Sequence, residues 1–135
     1  MLNLTTGIDD FREIKERNKY YVDKTMMISN FIKYDDKVSL ITRPRRFGKT
    51  LNVTMLRDFF DINQKSEDIF SGLAIMDTEF ANQINSRPVV CLTFKSCSGT
   101  NLEKLKVSLA MSIKDEYFSH LGVMRESKKV DWNSP

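Results

Sequence analysis

The sequence predicts an α/β fold in which helices cover a parallel β-sheet. Two short apolar runs, residues 38–42 and 89–94, are typical of β-strands, and a segment with helical periodicity follows each of them. The second run is apolar at nearly every position, as in a parallel strand that is buried on both faces. The order strand, helix, strand, helix predicts a right-handed crossover. Because two strands are few for such a sheet, we expect the sheet to be incomplete.

The segment before the first strand predicts two helices. Asp10 and Glu13 have the spacing of a capping box, so the first helix should begin at Phe11 and bury Phe11 and Ile14. Asp23 is the predicted N-cap of the second helix. Four apolar residues recur at helical spacing in that second helix: Met27, Ile28, Phe31 and Ile32.

A basic loop stands between the first strand and the next helix. Residues 43–50 run Arg-Pro-Arg-Arg-Phe-Gly-Lys-Thr, and the order strand, tight loop, helix N-terminus is the geometry that holds a nucleotide triphosphate. Gly48 would let backbone amides approach a phosphate closely, and Lys49 would reach the β- and γ-phosphates. The Thr50 hydroxyl would join a Mg²⁺ shell. The general motif has a glycine where this chain has Arg43.

The predicted nucleotide site covers nine consecutive residues. They are Arg43, Pro44, Arg45, Arg46, Phe47, Gly48, Lys49, Thr50 and Leu51. The cofactors that such a loop implies are ATP and Mg²⁺, with Thr50 as the Mg²⁺ ligand. Hydrolysis would also need an acidic residue that holds Mg²⁺ and orients water, and the sequence supplies none clearly. We therefore predict nucleotide binding more strongly than hydrolysis, and we predict no catalytic residue.

Three segments resemble the predicted AAA-ATPase-like family. They are residues 7–11, Gly-Ile-Asp-Asp-Phe; residues 20–25, Tyr-Tyr-Val-Asp-Lys-Thr; and residues 39–52, which contain the basic loop. In that family arginine is the usual residue in place of the first glycine. The resemblance spans about residues 4–120. It implies a P-loop NTPase-like fold with three layers, αβα, around a parallel sheet.

The resemblance also implies that the chain is the N-terminal piece of a longer protein. Members of the family carry a second nucleotide motif, an apolar strand ending in Asp-Glu, and often a C-terminal nuclease-like domain of the PD-(D/E)XK kind. Neither pattern occurs in residues 96–135. We expect residues 1–121 to be the N-terminal part of the P-loop domain and residues 122–135 to be a polar tail or truncation edge. The nuclease-like domain is the expected partner in a full-length protein.

The rest of the chain predicts further helices. Leu51, Met55 and Phe59 should form the core face of the helix after the loop, which should end near Asp61. Ser66 is a candidate cap for a short helix. Thr100 and Glu103 have capping-box spacing at the start of a last helix. The apolar face of that last helix has five residues: Leu102, Leu105, Leu109, Ile113 and Tyr117.

Composition excludes several classes of protein. A chain of 135 residues with 41% hydrophobic residues can build the core of a single domain. There is no signal peptide and no apolar run long enough for a membrane span, so we expect a cytoplasmic protein. Cys91 and Cys97 provide no metal framework. The lone histidine, His120, is expected to be solvated.

Two other functions stay open on the sequence alone. The basic loop is also suited to contacts with the nucleic acid backbone, which would weaken strongly with added salt. The chain is alternatively an inactive fragment. Asp23 and Lys24 have two interpretations as well: they form part of the wall of the nucleotide pocket, or they are an N-cap and a solvated lysine.

Overall fold

The structure, a computed structural model, describes residues 7–35, 37–42, 44, 47–95, 97 and 100–126, and it divides into two compact units, Met1–Arg87 and Pro88–Pro135. The described α-helices of the first unit are α1 (Phe11–Glu16), α2 (Met26–Tyr34), α3 (Lys49–Phe60) and α4 (Glu67–Phe70). Two 3₁₀ turns follow them, Ala74–Asp77 and Ala81–Gln83. The described α-helices of the second unit are α5 (Leu102–Ser119) and α6 (Leu121–Glu126).

The predicted α/β fold with a parallel sheet is wrong for this structure. The described residues are 54% helix and 2% strand, and neither residues 38–42 nor residues 89–94 form a strand. The β-type pairing within the described residues is an isolated parallel bridge between Asp61 and Arg87. The three-layer αβα arrangement that the resemblance implied is therefore not what the chain adopts here.

The physical reason lies in how a strand is stabilised. A helix satisfies its backbone groups within one segment, whereas a strand needs hydrogen bonds to a neighbouring strand. An apolar run such as residues 38–42 therefore predicts strand propensity but not the partner edge that would realise it. Leu40, at the centre of that run, is 85% exposed, so its apolar character is not used in burial here.

The first unit has an aromatic core. The ring of Phe70 lies 4.9 Å from the ring of Phe11 and 5.3 Å from that of Phe59, measured between centroids. Such ring pairs add to the free energy gained from buried area. Because Phe11, Phe59 and Phe70 belong to α1, α3 and α4, one cluster holds three helices together. The buried hydrophobic residues of this unit are Phe11, Ile14, Ile28, Met55, Phe59, Phe60, Ile69, Phe70, Leu73 and Ile75.

Two predicted helix starts had different outcomes. The first is confirmed, because Asp10 is the N-cap of α1 and its Oδ1 accepts a hydrogen bond from the Glu13 amide at 3.1 Å. The second is wrong, because Thr25 and not Asp23 is the N-cap of α2. The Asp23 carboxylate instead accepts from the Thr25 amide at 2.8 Å and from the Thr25 hydroxyl at 2.7 Å.

The helix after the basic loop has the predicted extent. α3 ends at Phe60, with Asp61 as its C-cap. Met55 and Phe59 are fully buried as predicted, whereas Leu51 in the first turn is only partly buried. Ser66 occupies the N-cap position of α4, although its side chain makes no capping hydrogen bond there.

The second unit differs from expectation in two details. Asn101, not Thr100, caps α5, and its side-chain oxygen accepts from the Lys104 amide at 2.9 Å. His120 is buried and not solvated. Its Nδ1 lies 2.8 Å from the Ser119 hydroxyl oxygen at the end of α5. No helix in the part of the chain that the structure describes is long and apolar enough to cross a membrane.

Candidate functional site

Gly48 is the turning point of the basic loop. Its φ of 71° and ψ of 26° are in the left-handed region, and it stands directly before the first residue of α3. A Cβ built on Gly48 would lie 4.0 Å from the Leu51 Cβ, an ordinary contact. The backbone conformation, and not a lack of space, therefore favours glycine at this position.

Lys49 begins α3 and turns its side chain back over the loop. Its ammonium donates a hydrogen bond to the carbonyl oxygen of Pro44 at 3.1 Å. The side chain of Lys49 is exposed, as is Phe47, which is 62% exposed. The three arginines of the predicted site, Arg43, Arg45 and Arg46, lie outside the described residues.

Thr50 and Leu51 complete the first turn of α3. Thr50 is exposed and Leu51 is half-buried. The amide of Asn52 donates to the Gly48 carbonyl at 3.0 Å, so Gly48 already accepts the bond that opens the helix. In an α-helix the first-turn amides point out of the N-terminus, where the helix dipole favours a negative charge. The described part of the predicted site is thus the start of a helix of 12 residues.

One buried hydroxyl ties this first turn to α1. The Thr54 hydroxyl accepts a hydrogen bond from the Phe11 amide at 3.0 Å and donates one to the Leu51 carbonyl at 3.1 Å. Thr54 is not among the site residues that the sequence predicts. The signal available was a polar residue within the apolar stripe of α3, between Leu51 and Met55. Such a residue is buried only with a partner, and the partner is 43 residues away.

An ion-pair cluster ties the last turn of α3 to the same end of α1. Arg57 Nη2 lies 3.2 Å from Asp10 Oδ2 and 2.9 Å from Asp58 Oδ1. Asp58 is fully buried, and its Oδ2 has no hydrogen-bond partner among the described residues. Burial, together with the negative charge of Asp10, raises the pKa of Asp58 by more than the Arg57 hydrogen bond and the positive charges of Arg57 and Arg12 lower it. α1 and α3 therefore meet through a hydrogen bond and a charged contact.

Comparison with known proteins settles the family. The family model described as predicted AAA-ATPase matches residues 5–132. The chain belongs to the predicted AAA-ATPase-like family. This confirms the resemblance that the three sequence segments indicated.

One curated relative of this AAA-ATPase-like chain is an uncharacterized protein in the vnfD 5' region of Azotobacter chroococcum mcd 1. The two are 40% identical over 75 residues, which make up 55% of this chain. The chain spans 14% of the length of that relative. No solved structure matches the chain.

The AAA-ATPase-like segment at residues 20–25 packs beside α3. The Tyr21 hydroxyl donates to the Met55 sulfur at 3.2 Å, and the Lys24 amide donates to the Tyr21 hydroxyl at 3.3 Å. Asp23 Oδ2 accepts from the Ala74 amide at 2.8 Å. Partial burial raises the pKa of Asp23, but the hydrogen bonds from Ala74 and Thr25 outweigh this and the net pKa is lowered. In this AAA-ATPase-like chain Asp23 therefore holds backbone segments together.

The described residues hold no group of three or more His, Cys, Asp or Glu side chains that could bind a metal ion. Any Mg²⁺ near Thr50 would thus have to take most of its ligands from water and from a bound phosphate, which is the usual way proteins hold this ion.

Proposed function

We propose that this AAA-ATPase-like chain binds the triphosphate of Mg-ATP at residues 43–51. The observation that carries the proposal is the left-handed Gly48 directly before Lys49, at the N-terminus of a 12-residue helix. Phosphates bind at such helix starts because the amides and the dipole both favour negative charge. The family match adds weight, since the matched range includes the whole loop.

Each residue of the loop has a separate role in the proposal. Gly48 presents the backbone without a Cβ on the phosphate side, and Lys49 leaves the Pro44 carbonyl for the β- and γ-phosphate oxygens. Thr50 supplies one oxygen to Mg²⁺. Three arginines raise the positive charge around the loop, which favours a tri- over a monophosphate. The proposal covers binding and not hydrolysis.

The deciding experiment removes the Lys49 ammonium. Because a hydrogen bond to a charged group is worth about 1.5–3 kcal/mol, Lys49→Ala should weaken Mg-ATP binding by at least about tenfold. Isothermal titration or a fluorescent ATP analogue measures the dissociation constant. AMP serves as a ligand control, because it lacks the β- and γ-phosphates, and it should bind both proteins equally weakly.

Lys65→Ala is the matched control variant. Lys65 is an exposed lysine of the same unit, and its recorded hydrogen bond uses its backbone carbonyl, which alanine keeps. The control should bind Mg-ATP like the unaltered chain. Equal binding by Lys49→Ala and Lys65→Ala would overturn the proposal. Binding that ATP and AMP achieve equally would place the recognition on the adenosine and away from the loop.

A further inference from the structure

Thr54 stands between the rigid core and the first turn of α3. Its hydroxyl uses its donor and an acceptor position at the same time, toward the Leu51 carbonyl and the Phe11 amide. Thr54 is buried, and Phe11 is fully buried. The bond to the Phe11 amide therefore lies where water does not compete with it and where an unmade bond is costly, whereas the bond to the Leu51 carbonyl is partly buried.

The Phe11 amide is a fixed point of the first unit. The Phe11 ring packs on the Phe70 ring at 4.9 Å and on the Tyr21 ring at 5.3 Å, measured between centroids. Asp10, the preceding residue, caps α1 through one carboxylate oxygen and contacts Arg57 through the other. The amide to which Thr54 bonds thus belongs to a segment that is held on both sides.

Leu51, at the other end of the link, is the last residue of the proposed phosphate site. Its carbonyl belongs to the same helical turn as Lys49 and Thr50. A phosphate site of backbone amides depends on their direction, and small displacements of positioned groups are expensive. A bond that holds the Leu51 peptide against the core therefore acts on the direction of the amides around it.

We propose that Thr54 is a positioning residue for phosphate binding, through the chain of contacts Phe11 amide, Thr54 hydroxyl, Leu51 carbonyl. The inference rests on the proposed function, because it concerns how the same loop is held. In this role Thr54 acts through the helix backbone and not through a contact with the phosphate. It sets the orientation of the first turn of α3 relative to the core of the first unit.

The test separates the hydroxyl of Thr54 from the shape of its side chain. Thr54→Val keeps the shape and removes the hydroxyl, whereas Thr54→Ser keeps the hydroxyl. From the net contribution of one hydrogen bond, Thr54→Val should weaken Mg-ATP binding by about fivefold, and Thr54→Ser should bind within about twofold of the unaltered chain. Binding is measured in the full chain by isothermal titration, at a temperature where circular dichroism shows each variant to be folded.

A core variant separates positioning from general loss of stability. Ile75→Val shortens a fully buried side chain in the 3₁₀ turn Ala74–Asp77, which contacts α2. It should lower the midpoint of thermal unfolding and leave the dissociation constant for Mg-ATP unchanged. If Thr54→Val does not fold, Thr54→Cys takes its place, because cysteine keeps a weak donor and acceptor at the same position. Its affinity for Mg-ATP should lie between that of the unaltered chain and the weaker affinity expected without the hydroxyl.

Three results would overturn the inference while leaving the proposed function intact. The first is that folded Thr54→Val binds Mg-ATP as tightly as the unaltered chain. The second is that Thr54→Ser binds Mg-ATP as weakly as Thr54→Val. The third is that Ile75→Val loses as much affinity for Mg-ATP as Thr54→Val does. Absence of Mg-ATP binding by the unaltered chain is a different result, because it would overturn the proposed function and this inference with it.

Discussion

Helices of similar amphipathic pattern are used differently in the two units of the chain. In the first unit, the 12-residue α3 buries Met55 and Phe59 completely. In the second unit, none of the 18 residues of α5 is buried, although α5 has apolar residues at helical spacing. Periodicity of this kind predicts that a helix forms and which face is apolar. It does not predict what covers that face.

The polar contacts show the same difference. In the first unit they join segments far apart in sequence, as in the bond from Phe11 to Thr54 and the ion pair between Asp10 and Arg57. In the second unit the contacts of α5 are mostly local, such as the ion pair of Lys106 with Glu103 three residues away. Long-range contacts oppose global unfolding, whereas local pairs on an exposed helix contribute a few tenths of a kcal/mol each.

The sharpest test of this difference is a matched pair of phenylalanine deletions. Phe59→Ala removes a fully buried ring from the core, which should lower the free energy of unfolding by about 3–5 kcal/mol. Phe118→Ala removes a ring of α5 that is 53% exposed. Its effect should stay within about 0.5 kcal/mol, as for other surface changes. Urea denaturation followed by circular dichroism measures both.

A large loss of stability in Phe118→Ala would contradict the comparison, because it would mean that the surface of α5 around Phe118 is covered in solution. A small loss in Phe59→Ala would contradict it from the other side, because the aromatic cluster would then not carry the stability of the first unit.

The two side-chain caps allow a second, smaller comparison. Asp10→Ala removes the cap of α1 and also the partner of Arg57, so it should cost about 2 kcal/mol. Asn101→Ala removes only the cap of α5 and should cost about 1 kcal/mol of helix stability, seen mainly as lost helicity in the far ultraviolet.

Asp10→Asn is the control for this pair. It keeps an oxygen for the Glu13 amide and loses the charge that faces Arg57. Its stability should lie between those of the unaltered chain and Asp10→Ala. Equal stability of Asp10→Asn and Asp10→Ala would show that the ion pair, and not the cap, accounts for the effect.

Local signals in the sequence predicted helix starts to within one or two residues, since the caps predicted at Asp23 and Thr100 lie at Thr25 and Asn101. The N-cap at Asp10 and the end of α3 at Asp61 both depend on residues within a turn of each other, and both are confirmed. The prediction of a parallel sheet was wrong because the pairing of strands depends on distant segments. The run around the exposed Leu40 has the composition of a strand but no neighbouring strand to pair with.

The candidate site shows the same difference between residues that a local signal identifies and residues that depend on a distant partner. Gly48, Lys49 and Thr50 are adjacent, so a motif could name them, and their roles stay predictions. Thr54 could not be named from the sequence, because its proposed role depends on the Phe11 amide, 43 residues earlier. A polar residue in an apolar stripe indicates that a partner exists, but it does not indicate which one.

The smallest expected effects are two opposite responses of stability to pH within the first unit. The pKa of Asp58 is raised above its ordinary value of 3.8, chiefly because the carboxyl is buried. The folded state then binds the proton more tightly than the unfolded state, so this contribution to stability is lost as the pH rises through the raised pKa. The pKa of Asp23 is lowered from 3.8, since the hydrogen bonds from Ala74 and Thr25 outweigh its burial. Its contribution is present above 3.8 and is lost as the pH falls through the lowered pKa.

Neutral variants separate these two responses. Asp58→Asn should flatten the fall of stability on the alkaline side of 3.8, whereas Asp23→Asn should flatten the fall on the acidic side. Urea midpoints measured between about pH 3 and about pH 7 resolve both slopes, because the slope reports the difference in bound protons between the folded and unfolded states. Curves for Asp58→Asn that stay parallel to those of the unaltered chain above 3.8 would mean that the Asp58 carboxylate is ionised without cost in the folded state. Arg57 would then compensate fully for the burial of Asp58, and the contact between Arg57 and Asp58 within α3 would be a stabilising ion pair.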